Sequence, residues 1–130
     1  MGELKVDYTG GIGFKASARE HSITIDLPKD KGGDDAGMTP PEAFMASLGS
    51  CIGVYVARYC NTAKLDPKGM QITLNWHLSD DKTRISTIDV TLKLPNAEPG
   101  KRERAILDAA HRCLLHNTIL VQPQISVKLI

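Results

Sequence analysis

The chain has 130 residues, 42% of them hydrophobic, 24% charged and only 5% aromatic, with a formal net charge of +1. That length suits a single domain spanning residues 1–130, with one continuous core. A nearly neutral chain has no strong field to gather nucleic acid or to hold an anionic membrane, so neither is expected as a partner. Its three cysteines, with no basic-then-apolar export segment at the start, imply a reducing, cytoplasmic setting with free thiols. No apolar run is expected to reach the length that crosses a bilayer.

Residues 1–28 read as short strands. Leu4, Val6 and Tyr8 alternate with polar neighbours, Gly10-Gly11 interrupts, and Phe14, Ala16 and Ala18 resume; Ile23, Ile25 and Leu27 alternate up to Pro28. Lys29 to Gly37 is a polar, glycine-rich loop. It is no phosphate cradle, because no Gly-Lys-Ser/Thr follows and Asp34-Asp35 would repel phosphate. Thr39-Pro40-Pro41-Glu42 has a threonine at the cap, prolines in the first turn and a glutamate three residues on, which is a capping box. Thr39 and Glu42 are therefore assigned as a structural cap. The helix behind them, from Ala43 to about Cys60, carries Phe44, Met45, Leu48, Ile52, Val54 and Val56 on several faces, as suits a core or an interface between chains.

Two longer strands follow. Ile72, Leu74, Trp76 and Leu78 alternate, Ser79 to Lys82 turn the chain, and Ile88, Val90, Leu92 and Leu94 alternate again. A second helix is expected from near Pro99, with Ile106, Ala110 and Cys113 on one face. Ile125, Val127 and Leu129 are expected to form a closing strand. The class is α+β.

On a helical wheel Cys51 shares a stripe with Phe44, Leu48, Tyr55 and Arg58. Taken alone, Cys51 and Cys113 read as small buried apolar residues, since free cysteine is among the most buried types. Cys60 falls on the opposite side of the helix from Cys51 and reads as structural. His21, His77, His111 and His116 are scattered. A zinc site on Cys113 and His116 would need two more ligands that the pattern does not supply, so no metal is expected.

The surrounding motifs change the weight on the two cysteines. Asp26-Leu27-Pro28, the glycine-rich loop, Thr39-Pro40-Pro41-Glu42, the run Ala46 to Cys51 and the run Ala109 to Ile119 together resemble the OsmC/Ohr family over nearly the whole chain. The resemblance implies an α+β homodimer in which antiparallel sheets wrap two central helices, with active sites between subunits. It also implies a thiol-dependent peroxidase for organic hydroperoxides. Cys51 would be the peroxidatic cysteine that becomes a sulfenic acid and Cys113 the resolving one. No cofactor is implied beyond an external dithiol reductant.

The chain departs from the peroxidase branch at two places. Ile12 follows Gly10-Gly11 where that branch has an arginine. Glu42 sits nine residues before Cys51, one position late, half a turn out of phase and roughly 13 Å along a continuous helix. The pattern fits a divergent OsmC-like branch. Because apolar surroundings raise a thiol's pKa, a cation is expected near Cys51; Arg19, Arg58 and His116 are the candidates, with Lys15 and Arg112 behind them. The alternatives are a non-enzymatic redox sensor or hydrophobic-ligand-binding protein of the same fold, and an interface protein with inert cysteines.

Overall fold

The structure, a computed structural model, describes residues 2–130 and divides into two compact units, one reaching to Ala46 and one from Ser47 to Ile130. The first unit holds an antiparallel sheet of β1 (Lys5–Gly10), β2 (Gly13–Ala18) and β3 (His21–Ile25), in that order. Val6 opposes Ala16 and Tyr8 opposes Phe14, whose rings meet at 5.7 Å between centroids. The alternation seen in the sequence thus becomes cross-strand pairing. Gly10, the last residue of β1, and Gly11, in the turn to β2, take φ of 117° and 57°, a left-handed stretch that glycine enters without strain.

The loop after β3 is tied down by one carboxylate. Asp26 is buried, and its oxygens accept N–H bonds from Leu27 (2.8 Å), Asp34 (3.1 Å) and Ala36 (3.1 Å). Those backbone donors, chiefly Leu27 and Ala36, hold its carboxyl below the usual range against the cost of burial. A Cβ on Gly33 would stand 2.0 Å from the carbonyl oxygen of Leu27, and one on Gly37 2.2 Å from that of Thr24. The chain folds this closely upon itself only with glycine at both positions.

Helix α1 (Pro40–Thr62) starts in the first unit and runs on through the second. Its start is the expected capping box. The Glu42 N–H donates to Thr39 Oγ1 (3.3 Å), Thr39 Oγ1 donates to Glu42 Oε1 (2.8 Å), and the Thr39 N–H reaches the same oxygen (3.4 Å). At 23 residues with a mean hydropathy of 1.2 over its most apolar window, α1 is by length and composition sufficient to cross a bilayer. This corrects the expectation that no run reaches that length. The same apolarity serves a core helix, and the second unit's core is built on it.

In that unit β4 (Gln71–Leu78) and β5 (Ile85–Lys93) form an antiparallel pair with Leu74 opposite Val90 and Trp76 opposite Ile88. Leu48, Ile52, Val56 and Cys60 of α1 are buried with Ile106 and Cys113, and Ile72, Leu74, Ile88, Leu92 and Leu94 pack against them. The approach is close because α1 presents Gly49 and Gly53 to the sheet. A Cβ on Gly49 would lie 2.7 Å from Leu74 Cδ1, and one on Gly53 3.1 Å from Ile72 Cδ1.

The expected second helix is divided. A single 3-10 turn (Gly100–Arg102) leads into α2 (Glu103–His111), the chain breaks at Arg112 and Cys113, and α3 (Leu114–Leu120) follows. Cys113 has φ −57° and ψ 128°, extended backbone, so it does not share a helix face with Ile106 and Ala110 as expected. The closing strand is a second correction. No strand is assigned beyond Val121, and Ile125, Val127 and Leu129 are 79%, 93% and 100% exposed. An alternating segment becomes a strand only beside a partner edge, and none pairs with it among the described residues.

Candidate thiol site

Cys51 lies in the middle of α1, where the helix's own carbonyls and N–H groups are already paired and the macrodipole gives a thiolate little help. It is half-buried and packs against the cluster containing Leu48, Ile52 and Cys113. Burial alone would push its thiol up. The Cys113 thiol hydrogen-bonds to it, and the backbone N–H groups of Leu115 and Leu114 also favour its thiolate, so the net effect is a pKa below the ordinary cysteine value. These N–H groups belong to the first turn of α3, whose donors have no partner inside the helix. The break between α2 and α3 at Cys113 therefore matters chemically: it turns a fresh set of backbone donors toward a thiol that its own helix cannot serve.

Cys113 is wholly buried. Burial and the neighbouring Cys51 push its thiol up, more than the N–H groups of His116 and Leu115 pull it down. The two thiols are thus unlike: the pKa of Cys51 is lowered, and that of Cys113, which donates to it, is raised. All three cysteines are free. Cys60 is wholly buried in the same cluster, and desolvation raises its thiol.

The structure brings together the two cysteines singled out from the sequence, 62 residues apart along the chain. Of the candidate cations that share their unit, Arg58, His116 and Arg112, none is among the groups acting on Cys51. Burial, a thiol and two backbone N–H groups act on Cys51, and no cationic side chain is among them. Arg58 lies over the Tyr55 ring, 6.0 Å from its centroid. Arg19 occupies the turn between β2 and β3 at φ 54°, exposed. His116 acts at Cys113 through its backbone N–H, while its ring sits 5.5 Å from that of His111. Lys15 and Arg112 are exposed too. Sequence reasoning missed the N–H groups of Leu114 and Leu115. The only hint was the position of the second cysteine just before a fresh helical run. Among the described residues no three His, Cys, Asp or Glu side chains cluster as metal ligands would.

Solved structures resemble this chain closely in fold. A Psychrobacter arcticus protein described as an osmotic stress induced and detoxification response protein superposes with a TM-score of 0.81 at 20% identity, over 91% of this chain and 88% of that one. An OsmC-like protein of Mycoplasma pneumoniae gives 0.78 at 18% identity, over 94% and 89%. An organic hydroperoxide resistance protein of Legionella pneumophila gives 0.65 at 16%, over 92% and 88%. None of the curated proteins is a match in sequence. The family described as OsmC-like protein matches residues 32–129, a stretch that takes in the Asp34 to Gly37 loop, the capping box and both thiols. On that match, and on a mixed α+β fold with antiparallel sheets that its neighbours share, the chain belongs to the OsmC-like family.

Proposed function

We propose that this protein is a thiol-dependent peroxidase for organic hydroperoxides. The observation that carries the reading is the unequal thiol pair: a Cys51 with a lowered pKa in hydrogen-bond contact with a protonated Cys113. The Cys51 thiolate attacks the outer oxygen of the O–O bond and forms the S–O bond. The alkoxide leaves, takes a proton and departs as an alcohol, and Cys51 is left as a sulfenic acid. The sulfur of Cys113 then attacks that sulfur, the hydroxyl leaves with the Cys113 proton as water, and a disulfide closes. The two thiols are already in hydrogen-bond contact, so the attacking sulfur starts beside its target. An external dithiol reduces the bridge by exchange and is itself oxidised to a disulfide. Aliphatic neighbours such as Leu48 and Ile52 favour an organic peroxide over hydrogen peroxide. The name of the Legionella protein points the same way.

The proposal extends to a cytoplasmic homodimer. Leu4, Val6, Tyr8 and Ile23 of the first unit are each more than half exposed, as is the whole apolar set of residues 125–130. Large apolar side chains in such number are covered by something in a working protein.

A second reading, a redox sensor without turnover, is favoured by one observation: no cationic side chain among the described residues acts on Cys51. One experiment separates the two. Protein given one equivalent of cumene hydroperoxide should lose two hydrogens, and a Cys51–Cys113 linkage should appear in its peptide map. Repeated consumption of peroxide with a dithiol present, abolished in Cys51→Ser, supports the enzyme. A bridge without turnover supports the sensor, and an unmodified Cys51 sinks both.

A further inference from the structure

Beside the thiol pair, and not including either sulfur, lies an open cleft of about 890 Å3 in the second unit, between α1, β5, α2 and α3. That volume falls in the range of small-molecule sites. Its walls are mainly aliphatic, with Leu48 and Ile52 from α1, Ile88 and Leu92 from β5, and Ile106 and Leu107 from α2, and β5 adds the hydroxyls of Ser86, Thr87 and Thr91. Its titratable groups are not spread evenly. His111 and His116 both line it, their rings 5.5 Å apart. Glu103 lines it as well, eight residues before His111 on α2, and so about 12 Å away along that helix. One end of an apolar trough is therefore marked by two imidazoles and the other by a carboxylate.

We propose that this cleft binds an aliphatic monocarboxylic acid, with its carboxylate at His111 and His116 and its tail running over Ile106 and Leu107 toward Glu103. A neutral imidazole has one N–H donor and a protonated one has two, so the pair offers a donor to each carboxylate oxygen. The reverse orientation would set the carboxylate against Glu103 and is disfavoured by like charge. The aliphatic walls take the tail out of water at roughly 25 cal/mol per Å² of apolar surface covered. The site does not depend on the redox chemistry of Cys51, so the two proposals can fail separately.

The test is calorimetric titration of the reduced protein with decanoate, methyl decanoate and decanol. Decanoate should bind saturably, one per chain, and at least tenfold more tightly than its methyl ester. In His111→Gln/His116→Gln decanoate should fall to the level of the alcohol, while decanol binding is unchanged. Leu107→Trp, a change at a half-exposed position, should block all three ligands by filling the trough. Cys51→Ser should bind decanoate as the wild type does. Equal affinity for acid and ester, or an unchanged decanoate affinity in the double histidine variant, overturns the proposal. So does the absence of saturable binding, including the case in which Leu107→Trp instead splits a dimer and the cleft proves to be a contact between two copies.

Discussion

A cysteine in the middle of an apolar helix should be a poor thiolate, because desolvation penalises the charged form and the helix spends its own N–H groups on itself. Cys51 escapes that fate through atoms of another element: the Cys113 thiol and the N–H groups of Leu115 and Leu114 outweigh its burial. The direction of the effect can be tested by substitution at Cys113. The rate of iodoacetamide alkylation at Cys51, followed from pH 5 to pH 10, should reach half its plateau below the pH of an unperturbed thiol. Cys113→Ser retains a donor and should keep most of that displacement. Cys113→Ala removes the donor and should move the half-point up, so that alkylation at neutral pH is slower. Identical profiles for the serine and alanine variants would show that the thiol contact does nothing for ionisation. The sequence predicted the pair but not this mechanism. It pointed to cationic side chains, because charge is visible in a sequence and the direction of a backbone N–H is not. Arg58 shows the limit of the wheel: it does share a stripe with Cys51, yet its guanidinium lies over Tyr55.

At the scale of elements, patterns that depend on neighbours in the chain were legible, and those that depend on distant partners were not. The capping box at Thr39 and Glu42 and the alternation in β4 and β5 are local and appear as expected. The division of the second helix at Cys113 leaves no glycine or proline behind it; Arg112 is exposed, and Cys113 is buried with Leu48, Ile52, Val56 and Cys60 of α1, a contact that no local pattern announces. The close approach of α1 to β4 is another such case, since Gly49 and Gly53 in a helical run read as weak spots. In an exposed helix, replacing Gly49 by alanine would gain about 1 kcal/mol. Here the added Cβ meets Leu74 Cδ1 at 2.7 Å, the mobile end of a side chain, so alanine should be close to neutral in urea unfolding. Gly49→Leu cannot be accommodated by one rotamer change and should cost about 1–3 kcal/mol. Adding Leu74→Ala to it should make the pair less destabilising than the sum of the two single changes, by about 0.5–3 kcal/mol. Strict additivity would mean that helix and strand do not press on each other at this point.

At the scale of the whole molecule the exposed apolar surface is what the fold leaves unexplained within one chain. The segment from Gln122 to Ile130 alternates Ile125, Val127 and Leu129 with polar residues, the pattern of a half-buried strand, yet those side chains stand 79–100% exposed. Isolated strands do not persist in water, and a row of unpaired N–H and C=O groups is a template for another chain. The proposed homodimer supplies the missing edge: the sequence signal for a closing strand is then correct in kind, and its partner lies outside the chain. Sedimentation at micromolar concentration should give a dimer whose amides at 125–129 are protected from hydrogen exchange. Val127→Asp should place a charge where the partner's apolar face would be. It should shift the protein to monomer or lower its thermal midpoint by several degrees, a loss on the order of 2 kcal/mol in a chain of this size. A wild-type chain that sediments as a monomer with freely exchanging amides at 125–129 would remove the homodimer from the proposal. The disulfide chemistry would survive, because Cys51 and Cys113 meet within a single chain.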